Sequence, residues 1–275
     1  MSFPAEAAVV EATATGLADR LRRNRLSRRD TLWLFGAATS ATVLQGCAVS
    51  PVTGERILVG MSPEQEKQVD AQHAPQQFSQ DLGAIQDEPV NRYVVDVGQR
   101  LQGGVQRRDM PYNYRVLNAN YVNAYTFPAG AMGVTRGIMT EMKDESELAA
   151  LLGHELGHVN ARHAAQRQGQ AMVAQVAVAG LTVAAGDSSW APLVGMGGQI
   201  GASALLANYS RDHEREADAL GQDYLVKAGY PAQGMVGLHQ LLVEGHERQP
   251  SVLETMFSSH PMSTERRDTA RRLAQ

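Results

Sequence analysis

The chain has 275 residues, enough for one large or two modest domains, and its 43% hydrophobic and 20% charged residues are ordinary for a globular protein. A formal net charge of −4 and a pI near 6.1 exclude the overall basic character of a nucleic-acid-binding domain. The single cysteine, Cys47, excludes an internal disulfide, so the cellular compartment has to be inferred from other signals.

The N-terminal region has the features of an export signal. Adjacent arginines at 28–29 precede an uncharged stretch over 31–46, which is too short to span a bilayer and is typical of a signal peptide. The stretch ends in Leu-Gln-Gly-Cys, which resembles a bacterial lipobox, although Gln45 departs from the usual small residue. We therefore predict a signal peptide over 1–46 and lipid attachment at Cys47. The alternatives are a buried thiol and an uncleaved anchor helix.

Two further features of this region bear on localisation. The arginine pair resembles a twin-arginine export signal, although Thr31 replaces the usual larger apolar residue. Ala48 follows the cysteine, where an Asp would suggest retention at the inner membrane. The resemblance to lipoprotein sorting implies a periplasmic protein anchored to the outer membrane. Residues 47–61 are then a tether, and 62–275 form the folded domain.

Caps and hydrophobic periodicity predict that this domain begins with two helices and a small sheet. Ser62, with Gln65 in the capping-box position, starts a helix that runs to about Leu82, and a second helix spans about 88–101. Alternating segments predict about three strands, at 112–117, 121–127 and 132–138. An exposed edge at the last strand would bind an extended peptide by strand addition, and an ordinary packed hairpin is the alternative.

A third helix carries the motif on which the functional interpretation depends. Asp144 is a candidate N-cap with Glu147 in the capping-box position, and the helix is predicted to reach about Gln168. Within it lies His-Glu-Leu-Gly-His at 154–158. Residues four apart share a helix face, so both imidazoles can reach one metal ion, and the intervening glutamate can address a metal-bound water. The alternative is a surface helix with two chance histidines.

A catalytic zinc ion needs a third protein ligand. A nearby one is excluded, because the HExxHxxGxxH pattern would need Gly at 161 and His at 164, where this chain has alanines. The stretch 209–218 instead offers five candidates on a predicted helix: Asp212, His213, Glu214, Glu216 and Asp218. Spacing does not choose among them. Glu214 and Asp218, four apart, would suit one carboxylate on the metal and one on a ligand imidazole. A solvated, salt-bridged helix is the alternative.

These motifs together resemble the minigluzincin family of zinc metallopeptidases. HELGH is followed by Ser-Arg-x-x-Glu-x-Glu-Ala-Asp at 210–218, and Asn-Ala-Tyr-Thr-Phe-Pro-Ala-Gly at 123–130 is similar to a further family motif, with Ala129 in place of a glycine. The resemblance extends from about residue 51 to the C-terminus and is nearest to the short periplasmic LoiP-type lipoproteins. It implies an α+β, mainly α, fold with a gluzincin-like core that has an HExxH helix, a second ExxxD helix and a small sheet of about three strands.

The resemblance also assigns roles. It implies one Zn²⁺ per chain, held by His154, His158 and Glu214, with Glu155 as general base and Asp218 orienting a ligand. Near the C-terminus, Ser-His-Pro at 259–261 resembles the family's Thr-His-Pro. Its histidine, His260, would act as a fourth ligand in a resting state or as an oxyanion donor, and Arg266 would help hold developing negative charge. No role is assigned to His73, His163, His239 or His246, and His213 and Glu216 become bystanders.

We therefore predict a zinc-dependent endopeptidase that cleaves misfolded or unassembled envelope proteins, with outer-membrane assembly machinery as a further expected partner and nucleic acid excluded. A zinc-binding chaperone or assembly factor with weak or no proteolysis is the second hypothesis. The Ala- and Gly-rich region 168–208 is predicted to be a plug or lid over the site. A membrane-embedded peptidase, the third hypothesis, would need that region to span the bilayer.

Overall fold

The structure is a computed structural model, which describes residues 46–184, 209–248, 256, 260 and 264–275. The predicted signal peptide and residues 185–208 of the predicted plug lie outside the described residues. The chain forms two compact units. One comprises Cys47–Gln170 and Gln199–Gln275 and carries both sheets and the predicted site residues. The other comprises Met1–Gly46 and Ala171–Gly198.

The segment predicted as a tether forms a β-hairpin. Strand β1 (Cys47–Val49) pairs antiparallel with β2 (Arg56–Leu58), and the turn between them is closed by Ser50, whose hydroxyl accepts hydrogen bonds from two following backbone N–H groups. The next residues pack into a small apolar cluster, in which the N–H of Gly60 donates to the carbonyl of Ala165 at 2.8 Å.

The first two predicted helices are confirmed. Helix α1 (Pro63–Gln80) has the complete capping box, because Ser62 accepts from the N–H of Gln65 and the Gln65 side chain accepts from the N–H of Ser62. Helix α2 (Glu88–Gln102) is capped by Asp87 and buries its apolar face against the three-stranded sheet and the helix that carries the HELGH motif.

The three-stranded sheet has the order β3–β5–β4, formed by Asn113–Leu117, Ala131–Thr135 and Ala124–Thr126 respectively. The expectation of an exposed edge at the last strand is wrong, because β5 is the central strand and pairs parallel with β3 and antiparallel with β4. This strand also ends earlier than predicted, since Thr135 caps the short helix α3 (Arg136–Glu141). Strand β4 is buried and packs on the helix that carries the HELGH motif.

The turn between β4 and β5 accommodates the alanine at position 129. Among the described residues, positive φ values at non-glycine positions occur at Leu82 and Arg162, whereas Gly130 has a φ of 102°. The glycine that this turn requires is therefore Gly130. Asp70 on α1 fixes the turn by accepting hydrogen bonds from the N–H groups of Ala129 and Ala131, at 2.9 and 2.8 Å.

Helix α4 (Glu145–Asn160), which carries the HELGH motif, is the centre of the fold, and every residue from Glu147 to Asn160 is buried. Asp144 is its N-cap as predicted, accepting hydrogen bonds from two backbone N–H groups. The expected reciprocal bond differs, because the Glu147 carboxylate accepts from the N–H of Lys143 rather than from that of the cap.

The predicted continuation of this helix to about Gln168 is wrong. The chain turns at Arg162, which has a φ of 61°, and a new helix, α5 (His163–Ala184), begins directly after it. A left-handed conformation is unfavourable for arginine, so tertiary contacts have to stabilise it. The guanidinium supplies them, with Nε 3.0 Å from Glu66 Oε1 and Nη2 2.7 Å from the carbonyl of Met61.

Three further helices complete the described structure: α6 (Arg211–Lys227), α7 (Gln233–Arg248) and α8 (Thr264–Leu273). Helix α6 packs most extensively against α4, and glycines on both helices make the close approach possible. The mainly helical fold with a small sheet is thus confirmed. In the described part of the chain, no helix combines the length and apolar character needed to cross a membrane.

Candidate metal centre

Four buried side chains bring one ligand atom each to a common region. They are His154 and His158 of α4, Glu214 of α6 and His260, and their ligand atoms all lie within 4.8 Å of one another. The two histidines share a helix face through their i,i+4 spacing. Glu214 reaches them because α6 lies against that face of α4. The structure therefore brings together the three ligands that the family resemblance implied, with the C-terminal histidine as a fourth.

The spacing of these atoms fits a small tetrahedral metal ion. His154 Nε2 is 3.1 Å from His158 Nε2 and 3.6 Å from Glu214 Oε2, and His158 Nε2 is 3.3 Å from Glu214 Oε1. Bonds of about 2.0–2.1 Å at tetrahedral angles place neighbouring ligand atoms about 3.3 Å apart. His260 Nδ1 continues the pattern, 3.3 Å from His154 Nε2 and 3.1 Å from Glu214 Oε1.

Asp218 sets the tautomer of His154. Its Oδ1 lies 2.9 Å from His154 Nδ1, and because a carboxylate only accepts, this nitrogen carries the hydrogen. The other nitrogen, Nε2, then presents a lone pair to the ligand group. A carboxylate behind a metal-ligating histidine is the arrangement that orients the ring and raises its basicity.

Arg266 joins the two carboxylates of the ExxxD helix. Its Nη1 is 2.6 Å from Glu214 Oε2, and its Nε and Nη2 lie 2.6 and 2.7 Å from the two oxygens of Asp218. Burial alone would raise the pKa of Asp218, but the charges of His239 and Arg266 hold it well below its usual range. The pKa of Glu214 is likewise held well below its usual range against burial, chiefly by the charge of His260.

Glu155 has the position and environment of a general base. The carboxylate is 1% exposed, and neither oxygen has a hydrogen-bond partner within the described residues. Burial raises its pKa, which makes it a better proton acceptor once ionised. His260 Nε2 is 3.6 Å from Glu155 Oε1, so the C-terminal histidine lies between the ligand group and the base. Arg266, in contrast, contacts the carboxylates of Glu214 and Asp218.

Several residues around the site had no predicted role. His163 Nδ1 is 2.9 Å from His158 Nδ1, and its Nε2 is 3.1 Å from Glu216 Oε2. Tyr209 stacks on the His158 ring with centroids 3.9 Å apart, and His239 Nε2 lies 3.2 Å from Asp218 Oδ2. Burial lowers the pKa values of His158 and His163, which favours neutral rings. The contact of His239 with Asp218 could not be predicted from spacing, because His239 lies on a different helix, α7. The contact of His163 with His158 could not be predicted either, because it depends on the turn at Arg162.

A buried HExxH helix and an ExxxD helix that converge on one group of metal-ligand atoms define a metal-dependent peptidase of the gluzincin kind. Residues 88–274 match the sequence model of Peptidase family M48. The chain therefore belongs to peptidase family M48 and is a metalloprotease of the minigluzincin group.

Individual relatives agree with this assignment. The chain is 31% identical over 253 residues to the metalloprotease YcaL of Escherichia coli strain K12. The matched region covers 86% of this chain and 95% of YcaL. It is 32% identical over 159 residues to the metalloprotease LoiP of the same strain, covering 57% of this chain and 60% of that one. It is also 27% identical over 198 residues to the β-barrel assembly-enhancing protease of that strain, of which it spans 40%.

Proposed function

We propose that this M48 metalloprotease is a zinc-dependent endopeptidase that cleaves unfolded or unassembled proteins of the bacterial envelope. The observation that carries the proposal is the convergence of His154, His158 and Glu214 beside the buried carboxylate of Glu155. Two imidazoles and one carboxylate are a ligand set typical of catalytic zinc, and one zinc ion per chain fits the one such group found among the described residues.

A zinc ion held by these residues would supply Lewis acidity toward the scissile carbonyl and toward the attacking water. Glu155 accepts the proton of that water and delivers it to the leaving amine. Asp218 keeps Nε2 of His154 available, and Arg266 fixes both Asp218 and Glu214 through charge-assisted hydrogen bonds.

His260 has a place in this scheme in two successive states. As a fourth ligand it would hold the enzyme at rest, because a catalytic zinc needs one position for water. Once displaced, its imidazole would donate to the developing oxyanion, and Arg266 would help hold the negative charge. The distances of 3.1 and 3.3 Å from its Nδ1 to two ligand atoms support the resting role.

The proposed location is the periplasmic face of the outer membrane, with the lipid on Cys47. The lipobox-like sequence supports the anchor, and the arginine pair at 28–29 supports twin-arginine export. Envelope substrates, and outer-membrane assembly machinery as a partner, are supported by the similarity to a relative named as a β-barrel assembly-enhancing protease. A Cys47→Ser variant tests the anchor. It lacks the thiol that would carry the lipid and should no longer be recovered in the membrane fraction.

Metal analysis combined with casein cleavage tests the catalytic proposal. Wild type should bind about one zinc ion per chain. Glu155→Gln should keep that zinc and lose about 10²–10⁴-fold in cleavage rate, since it removes the base alone. Glu214→Ala should lose both zinc and cleavage. Glu64→Gln, at an exposed acidic position of α1, is the matched control and should behave as wild type.

The same variants separate the second hypothesis, a zinc-binding chaperone or assembly factor. If the envelope phenotype of a deletion strain is complemented fully by Glu155→Gln, proteolysis is dispensable and the chaperone hypothesis replaces ours. If Glu214→Ala retains its full zinc content, the assignment of the third ligand is wrong.

A further inference from the structure

His163 lies directly behind the second metal ligand, where a continuous helix would not have placed it. It follows His158 by five positions, and in an unbroken helix this offset turns the side chain by about 140° to another face. The left-handed turn at Arg162 reverses that displacement and brings the two Nδ1 atoms to 2.9 Å. The turn itself is tied down by the Arg162–Glu66 ion pair.

The directions of the hydrogen bonds that link Glu216, His163 and His158 follow from the chemistry of the Glu216 carboxylate. The Glu216 carboxylate can only accept, so His163 Nε2, at 3.1 Å, carries a hydrogen and donates it. In a neutral ring the other nitrogen, Nδ1, is then an acceptor. The 2.9 Å contact therefore requires His158 Nδ1 to be the donor, which leaves the lone pair of His158 on Nε2.

We propose that Glu216 and His163 form a positioning relay that fixes the tautomer and orientation of His158 for metal binding. This relay corresponds to the contact of Asp218 with His154, except that Glu216 acts on His158 through the imidazole of His163 instead of directly. The inference rests on the proposed function, because it assumes that a metal ion binds at the ligand group. His163 and Glu216 are thereby positioning residues rather than bystanders.

The packing around the relay supports this assignment. His163 has no exposed surface and is stacked on His213, with centroids 4.2 Å apart and planes 16° from parallel. The ring of His158 is itself stacked on Tyr209, with the two planes 21° from parallel. The ring of His158 is thus held by a stacking contact and a hydrogen bond, which together leave it little freedom to rotate or change tautomer.

Zinc affinity of the full-length chain, measured by competition with a chromophoric chelator, tests the relay. His163→Phe keeps the ring but removes the acceptor, and should weaken zinc binding by about 10–100-fold. His163→Asn retains an acceptor near the position of Nδ1 and should preserve most of the affinity. Glu216→Ala should weaken binding in the wild-type background and add nothing to His163→Phe. Asp212→Ala, an exposed acid of the same helix, is the matched control.

The tautomer of His158 gives a second readout that a purely structural role would not change. Long-range proton–nitrogen correlation spectra of the metal-free protein should show hydrogen on Nδ1 in wild type and a mixture of tautomers in His163→Phe. Equal zinc affinity in wild type and in both His163→Phe and Glu216→Ala would overturn the relay while leaving the proposed function intact. Loss in His163→Asn equal to that in His163→Phe would also overturn it. Failure of wild type to bind zinc would refute the proposed function and the relay together.

Discussion

The close approach of helices α4 and α6 makes Gly157 a sensitive position. A Cβ atom at this residue would lie 2.7 Å from the carbonyl oxygen of Ala217 and 2.9 Å from its Cα. Ordinary van der Waals contacts begin near 3.4 Å, so Gly157→Ala would force α4 and α6 apart by about 0.7 Å. Ala217 lies between Glu214 and Asp218 in sequence, so the same displacement moves both carboxylates, the second of which is the partner of His154.

The expected effect of Gly157→Ala follows from that displacement. Overpacking of a buried contact costs about 1–3 kcal/mol, partly offset by about 1 kcal/mol of better helix propensity for alanine. Each net kcal/mol lowers the melting temperature by about 2–4 °C for a chain of this size. A misplacement near 1 Å in a catalytic constellation costs about 10²-fold in rate, so we expect activity to fall by roughly 10–100-fold.

Thermal unfolding, zinc titration and casein cleavage measure the three consequences of Gly157→Ala. Gly103→Ala is the matched control, because the nearest atom to a Cβ there is the carbonyl oxygen of Arg100 at 3.5 Å. That variant should keep wild-type activity. A Gly157→Ala protein that is as active as the control and melts at or above the wild-type temperature would refute the predicted displacement of the helices.

Three more outcomes are expected. Glu66→Gln should lower the free energy of unfolding by about 3–5 kcal/mol, seen in urea denaturation, because it leaves the buried charges of Arg107 and Arg162 without their carboxylate. Burial raises the pKa of Asp70 to about 7, so its ionisation destabilises the folded state as pH rises from about 4 to 7. The melting temperature of Asp70→Asn relative to wild type should therefore increase across that window, and a flat difference would contradict the raised pKa. Glu214→Gln should weaken zinc binding about as much as Glu214→Ala, since a neutral amide lacks the ligand charge; chelator competition measures this.

The features that could be predicted from sequence were those set by neighbouring residues. The capping box at Ser62 and the N-cap at Asp144 involve partners within three residues. The pairing of His154 with His158 follows from helix geometry alone. Glu214 could be named only through the family resemblance, because spacing left five acidic or imidazole side chains open on the same helix.

The sheet order could not be predicted, because it depends on a non-local pairing. Strand β5 follows β4 by a short turn, and this proximity suggests a hairpin with a free outer edge. The parallel pairing with β3 covers that edge instead, through contacts such as Val116 with Val134. Alternating residues predict the presence of a strand but carry no information about its second neighbour.

The turn at Arg162 is the feature with the largest consequence for the site. Nothing local in Ala161–Arg162 stops a helix, since both residues favour helical conformation. The ion pair with Glu66, 96 residues earlier, stabilises the left-handed backbone and so decides where α5 begins. Because that turn places His163 against His158, helix α1 contributes through Glu66 to the geometry of the candidate metal centre. Loss of Glu66 should therefore weaken zinc binding as well as stability. Chelator competition and urea denaturation of Glu66→Gln measure the two effects.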